Sequence, residues 1–383
     1  MKILFIGHEP YLNGASKSML NIIDTLRAKH KIYVLTSFQS GDFYEELIKR
    51  NVEILCYSFY RWCLKKENNV QWVKHKFRWY FYEKEINEIT AKKVAKFAIE
   101  ESIDIIHSNS SVINIGALIK KYSGIKHVWH IREFADLDFQ MYPIISKKRY
   151  FRIMNQYTDR FICISNAVFN HYDLLDKRKK RVIYNGVDSS NLIEHTGNMK
   201  HSVNFLIAGR ISKAKGQEYA IQACLKLIQK GINNFHLYIA GSGGLQEELP
   251  SQLTDFVSVL GLVKNMPELR KDMDVELVCS TAEAFGRVTA EAMMGGIPVI
   301  GSNTGGTVEL VQDGVTGFLY DYNSVDNLAA KMQRMIKEVD LRDRMGRQAR
   351  EYAEKHFRIE RCVDEILNVY NLLLSSRESI VKK

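Results

Sequence analysis

The chain has 383 residues, 46% of them apolar, and carries a formal charge of +10 with a sequence pI near 9.1. That length exceeds one ordinary core and implies about two domains, while the composition excludes a disordered chain or a simple repeat array. Six scattered cysteines with no Cys-x-x-Cys pair argue against zinc and for reduced thiols in a cytoplasmic protein; the basic excess suits nucleic acid, an anionic membrane surface or a phosphorylated ligand.

The first run, "KILFIG", is too short for the apolar region of a signal peptide and reads as a buried strand. A helix is expected over "ASKSMLNIIDTLRAK", with Leu20, Ile23 and Leu26 packing inward. Gly14, before it, would let its N-terminus approach a phosphate. Strand "KIYVLTS", helix "FYEELIKR" and strand "VEILCYS" follow, then one long helical tract from about Trp72 to Glu101. "IDIIHSN", "INIGALIKKY" and "KHVWHIRE" read as strand, helix and strand, and "DRFICIS" and "KRVIYNGVD" close the series. Near-continuous apolar strands alternating with helices predict a parallel sheet covered on both faces. His130 ends "KHVWH" and so points toward the ligand-binding end of such a sheet, although a lone His serves equally well as a satisfied core group.

The polar segment "NGVDSSNLIEHTGNMKHS" reads as a linker. The expected division is 1–185 for a first domain, 186–200 for the linker, 201–355 for a second domain and 356–383 for a C-terminal helix. In the second series "VNFLIAGR", "FHLYIAGSG", "FVSVLG", "VELVCS", "PVIGSN" and "GFLYD" are strands. "GQEYAIQACLKLIQKG" is a helix whose end is marked by Gly231. Further helices are expected near Met266, Gly286, Thr307 and Val325, and from about Leu341 to Val381. No segment approaches the roughly 18 apolar residues of a membrane span, so the protein is expected to be soluble or peripheral. The fold class is α/β: two doubly wound, Rossmann-like domains facing across a cleft, with the ligand at the C-terminal strand ends of both.

Two stretches carry chemistry. In "AEAFGRVTAE", Glu283 falls in the loop after a strand and Glu291 lies a turn into the next helix. The N–H groups of Gly286, Arg287 and Val288 open that helix and can meet an anion or hydroxyl. A carboxylate at Glu291 can accept two hydrogen bonds from a vicinal diol such as ribose; the alternative is a solvated acid, which its flanks Thr289, Ala290, Ala292 and Met293 make a poor fit. In "AGRISKAKG", Arg210 and Lys215 follow a strand end, where a guanidinium and an ammonium suit a diphosphate. Neither "GHEPYLNGAS" nor "GSGG" is Gly-x-Gly-x-x-Gly, so a dehydrogenase lacks its fingerprint.

Together with "YNGVD", "IAGSG" and "GGTVELVQDGVTGFLYD", these stretches resemble the retaining, nucleotide-sugar-dependent glycosyltransferases of family 4, which have the GT-B fold with a C-terminal helix returning to the first domain. The resemblance implies that Glu291 binds the nucleotide ribose and that Glu283 holds the donor sugar. It implies that Arg210 and Lys215 hold the diphosphate, that the backbone of Gly286, Arg287 and Val288 completes the donor pocket, and that Gly14 closes over it. It further implies that His130 approaches the sugar and that the loop around Val263 meets the base. The donor would be UDP- or GDP-linked, with no cofactor. No Asp-x-Asp run sits in a donor loop, so no metal is expected. The chain departs from the family pattern at Asn13-Gly14-Ala15-Ser16, where relatives often read Gly-Gly-Ala-Glu, and at Arg287, where many carry an aliphatic residue.

The stretch from Tyr57 to Glu85 mixes rings and cations, among them Arg61, Trp62, Trp72, Arg78 and Trp79. That composition suits an anionic membrane surface or a lipid-linked acceptor. It also suits a core helix with solvated cations, or single-stranded nucleic acid, which the catalytic set does not require. The function expected is transfer of a sugar to a glycan or lipid-linked acceptor in surface polysaccharide assembly, at the inner face of the membrane. The alternatives are a nucleotide-sugar epimerase or a phosphorylase on the same architecture, and a non-catalytic partner subunit of a glycosyltransferase.

Overall fold

The apolar strands form where the pattern places them. The computed structural model describes residues 1–193, 202–245 and 249–381, with 376–381 described by backbone alone. The chain divides into two units, Met1–Gly186 with Ile359–Lys383, and Val187–Arg358. Of the expected linker, residues 194–200 lie outside the described residues.

The first unit contains β1 (Lys2–Ile6), β2 (Lys31–Thr36), β3 (Glu53–Cys56), β4 (Cys63–Lys65), β5 (Ile105–Ser108), β6 (Lys126–Ile131), β7 (Met141–Pro143), β8 (Arg160–Cys163) and β9 (Lys180–Val182). Seven of these form a sheet in the order β3-β2-β1-β5-β6-β8-β9, and every pair in it is parallel. β4 and β7 make a separate antiparallel ribbon that three-residue strands are too short to announce by alternation. The last helix, Ile359–Val381, buries Cys362, Val363, Ile366 and Tyr370 in the same core as Ile3 and Phe5 of β1 and Ile22 of the helix Gly14–Leu26. At roughly 1.5–3 kcal/mol for each large apolar side chain fully buried, that stripe anchors the C-terminus to this unit.

The second unit contains β10 (Val203–Ala208), β11 (Phe235–Ala240), β12 (Val257–Gly261), β13 (Val275–Val278), β14 (Val299–Ser302) and β15 (Gly317–Tyr320). They pair in parallel in the order β12-β11-β10-β13-β14-β15. In each sheet the order of strand addition reverses beside the first strand, between β1 and β5 and between β10 and β13. Doubly wound sheets open a ligand crevice at such a point.

Two helical readings need correction. The tract expected as one helix is a helix Asn69–Arg78, a five-residue π turn Trp79–Glu83 and a helix Lys84–Glu100. The C-terminal run is likewise two helices, Val339–His356 and Ile359–Val381. They part at Phe357, whose carbonyl accepts from Val187 N–H at 2.7 Å. Periodicity alone carries across both breaks, because each is too short to disturb it.

Candidate functional site

The loops leaving β10 and β13 meet at the switch point of the second sheet. Thr281 N–H donates to the Ala214 carbonyl at 3.0 Å and ties them together. This brings Lys215 Nζ onto Glu283 Oε1, which also accepts from Ser280 Oγ at 2.6 Å. The Glu283 backbone is fixed from behind, where its carbonyl accepts from Gly306 N–H at 2.6 Å. A Cβ on Gly305 would lie 2.5 Å from that carbonyl oxygen, so only glycine allows the approach. Arg210 is exposed at the same strand end, with no hydrogen-bond or ion-pair partner for its guanidinium among the described residues. Gly286, at φ 96°, turns the chain into the helix Arg287–Met294. Val263 is half-buried in the loop after β12 at this end of the sheet.

Glu291 belongs to a chain of charges that was not read from the sequence. Its Oε1 accepts from Arg287 Nη2 at 2.8 Å and its Oε2 from Arg270 Nη1 at 3.1 Å. Arg270, 1% exposed, also forks onto Glu276 with bonds of 2.8 and 3.1 Å. Burial pushes the Glu291 pKa up, but the Arg287 and Arg270 guanidiniums outweigh it and hold the carboxylate below its ordinary range. Burial raises Glu276 against the pull of Arg270. Glu291 is therefore an ionised anchor held in one orientation, and Arg287 is its clamp. The signal for the chain was in the sequence: Glu276 interrupts the otherwise apolar strand "VELV", and a charge inside such a strand needs a partner.

In the first unit His130 is the penultimate residue of β6, at 0% exposure. Its Nδ1 lies 3.3 Å from Arg132 Nη2 and 3.2 Å from His107 Nε2. A guanidinium only donates, so Nδ1 accepts and the proton of the neutral ring sits on Nε2. His107 Nε2 then donates as well, leaving its Nδ1 to accept from the Tyr370 hydroxyl at 2.5 Å. Burial, and then the nearby Arg132 charge, hold both imidazoles well below 6.5. His130 Nε2 is buried with no partner among the described residues. It is a fixed N–H donor without an acceptor. Gly14 opens its helix, where the Asn13 side chain accepts from Ala15 and Ser16 N–H. Ser16 returns a bond to Asn13 N–H at 2.8 Å, so the departure at this position completes a capping box.

The aromatic stretch corrects two expected contacts. Trp62 is 0% exposed, stacks on Trp129 and donates to the Ser111 carbonyl at 2.9 Å. Trp79 is 2% exposed. Neither is available to a membrane or acceptor, because the large rings gain more by filling the core than by lying at a surface. Trp72 is half-buried. Arg61 pairs with Glu9 at 3.0 Å and Arg78 with Glu83 at 2.6 Å. The exposed apolar groups are smaller: Val70, Val73, Phe77 and Phe81 are each at least 65% exposed. Their spacing of three, four and four residues was legible, but the tryptophans drew attention away from it. Residues 68–82 contain Lys74, Lys76 and Arg78 and no acid.

Two family models match the chain: Glycosyltransferase Family 4 over residues 12–191 and Glycosyl transferases group 1 over residues 190–352. An uncharacterized glycosyltransferase of Methanocaldococcus jannaschii is 29% identical, across 97% of this chain and 99% of its own. A capsular polysaccharide biosynthesis glycosyltransferase of Staphylococcus aureus, CapM, is 29% identical across 46% of this chain and 48% of its own. In fold, the chain is similar to HepE of Anabaena, solved in complex with UDP-glucose, with a TM-score of 0.76 at 21% identity over 97% of this chain and 99% of the other. The two doubly wound units match the GT-B architecture.

Proposed function

Because the chain belongs to the glycosyltransferases of the group 1 and family 4 kind, we propose that it moves a hexose from a UDP- or GDP-linked donor to a lipid-linked glycan or glycolipid, with retained anomeric configuration. The observation that carries this reading is the convergence of Arg210, Lys215 and Glu283 at the switch point of the second sheet, beside a doubly clamped Glu291. A structural neighbour bound to UDP-glucose supports the donor class. The capsular polysaccharide relative supports a surface-glycan pathway.

In this reading Glu291 accepts both ribose hydroxyls. Its two arginines leave it no freedom to turn away, so little ordering is needed on binding. Departure of the nucleoside diphosphate develops negative charge, which Arg210, Lys215 and the N-terminus of the helix Arg287–Met294 neutralise. Lys215 has three N–H donors and Glu283 engages one direction of them, so the ammonium serves carboxylate and phosphate together. Glu283 holds sugar hydroxyls while the front-face acceptor hydroxyl is deprotonated by the leaving phosphate. In the first unit, His130 Nε2–H is a neutral hydrogen-bond donor that a hydroxyl can meet. The cations take the place of a divalent metal, so a chelator leaves turnover unchanged. Among the described residues no helix is long and apolar enough to cross a membrane. Peripheral attachment at the inner face, through the exposed stripe of the helix Asn69–Arg78, suits a lipid-linked acceptor.

The test is a screen of nucleoside diphosphate sugars with released nucleoside diphosphate as readout. One donor is expected to be hydrolysed slowly alone and faster with acceptor, and Glu283→Gln abolishes both. Silence with every donor contradicts the reading. Conversion of the donor sugar without acceptor indicates an epimerase. A partner subunit would keep its role in the Glu283→Gln variant.

A further inference from the structure

The first unit holds a second polar site, apart from His130. A cavity of about 250 Å³ is lined by His8, Ser37, Arg61, Arg78 and Glu83 with three apolar or aromatic neighbours. His8 follows β1 and Ser37 follows β2, so the cavity opens at the C-terminal, ligand-binding end of this sheet. We propose that it receives the phosphate ester of the acceptor lipid, whose apolar tail lies along the exposed face of the helix Asn69–Arg78. The inference rests on the lipid-linked acceptor of the proposed function and names its headgroup chemistry.

Four observations carry it. First, the cavity presents two guanidiniums. Each has five N–H donors and, among the described residues, a single carboxylate partner, Glu9 for Arg61 and Glu83 for Arg78. Bidentate recognition of a phosphate remains open to both. Second, Glu83 Oε2 is buried with no hydrogen-bond partner among the described residues. A buried carboxylate oxygen in that state asks for a donor, and a hydroxyl beside the phosphate provides one. Third, the π turn Trp79–Glu83 creates the arrangement. In a regular helix residues five apart diverge by roughly 140°, whereas an i→i+5 turn stacks them on one face. Arg78 and Glu83 therefore meet at one wall. Fourth, Arg78 is also the last residue of the helix whose Val70, Val73 and Phe77 are exposed, and Phe77 lies 4.4 Å from Phe81, ring to ring. An apolar track thus starts at the cationic wall, and Lys74 and Lys76 flank it without an intervening acid. His8 adds a neutral ring: burial and then the Arg61 charge hold it at about 3.

The experiment measures binding of the full chain to phosphatidylcholine vesicles containing phosphatidic acid, to pure phosphatidylcholine vesicles, and to soluble glycerol 3-phosphate. UDP and GDP binding are measured in the same samples. Arg78→Gln alone strands the buried Glu83, so it is made together with Glu83→Gln; Arg61→Gln is made separately. Losing one guanidinium–phosphate contact is expected to weaken binding to phosphatidic acid vesicles about tenfold or more. Phe77→Ser with Phe81→Ser is expected to weaken it several-fold while leaving glycerol 3-phosphate unaffected, and every variant should keep the parent's nucleotide binding. Equal binding to both vesicle types, or Arg variants that bind like the parent, overturns the proposal. Glycerol 3-phosphate bound as tightly as the vesicles overturns the tail and keeps the phosphate site. A parent chain that binds neither UDP nor GDP counts against the donor reading instead, and leaves this site standing.

Discussion

The two units fold the same kind of parallel sheet and bury different polar chemistry beneath it. In the first, His107, His127 and His130 are 0% exposed and uncharged, held by one another, by hydroxyls and by the Tyr157 carbonyl. In the second, Arg270 and Glu276 are as deeply buried but ionised, and they extend outward to Glu291 and Arg287. The difference follows what each unit is asked to hold. Neutral imidazoles give directional donors, and the guanidinium beside them, Arg132, is held by the Asn109 and Asn185 side chains. A buried ion chain fixes a charged anchor in place, and Arg210 is exposed in the loop after β10 of the same unit.

The sharpest way to break this comparison is to cut the ion chain. Arg270→Met leaves Glu276 without its partner in the core and should cost about 3–5 kcal/mol by denaturant unfolding. Adding Glu276→Leu should recover most of that, and a single variant as stable as the parent would mean that the chain carries no structural weight. The next test is acid. Burial holds His127 at about 4, and burial with Arg61 holds His8 at about 3, while the unfolded side chains protonate near 6.5. Unfolding then takes up protons, so stability falls as pH drops below about 6.5. The loss is about 1.4 kcal/mol per pH unit for each such histidine, until its folded pKa is reached. Glu291 contributes with the same sign in a lower window: its depressed pKa keeps the second unit's contribution intact down to the ordinary carboxylate range, and that contribution is lost as pH falls from there through the folded pKa. Amide exchange as pH is lowered should therefore show the first unit opening first, and simultaneous opening contradicts the contrast.

Smaller effects refine it. Tyr370→Phe removes the donor to His107 Nδ1 and should cost about 1–3 kcal/mol by thermal or denaturant unfolding, because the acceptor stays buried. Arg287→Leu removes one of two clamps on a carboxylate that keeps Arg270. It should change stability by about 0.2–1 kcal/mol and raise the donor KM several-fold with little change in kcat.

Much of this was legible in the chain. Strand order could not be read, but the alternation of apolar runs with helical periods required two doubly wound sheets, and loop residues after "VNFLIAG" and "VELVCS" were placed at the switch point. Arg210, Lys215 and Glu283 were singled out because strand ends are where such sheets bind ligands, and the loops after β10 and β13 hold them there. The Arg287 half of the clamp could have been read, because Arg287 and Glu291 stand four apart on one helix. The Arg270 half could not: it lies twenty-one residues from Glu291 and on another element, beyond the reach of such spacing rules. Trp62 and Trp79 were misread because composition cannot say which face of a segment is buried. The π turn was invisible, since one widened turn leaves periodicity nearly intact while moving Arg78 onto Glu83.

The central claim is that one unit grips the two ends of a donor with two different acids. Calorimetric binding of the nucleoside diphosphate, alongside turnover of its sugar, tests this in the parent, Glu291→Gln and Glu283→Gln. Glu291→Gln is expected to weaken nucleoside diphosphate binding about tenfold, because the ribose loses a charged acceptor. Glu283→Gln should leave that binding within about twofold while turnover falls by about a hundredfold or more. Nucleotide binding that is lost with Glu283 and retained without Glu291 would contradict the account.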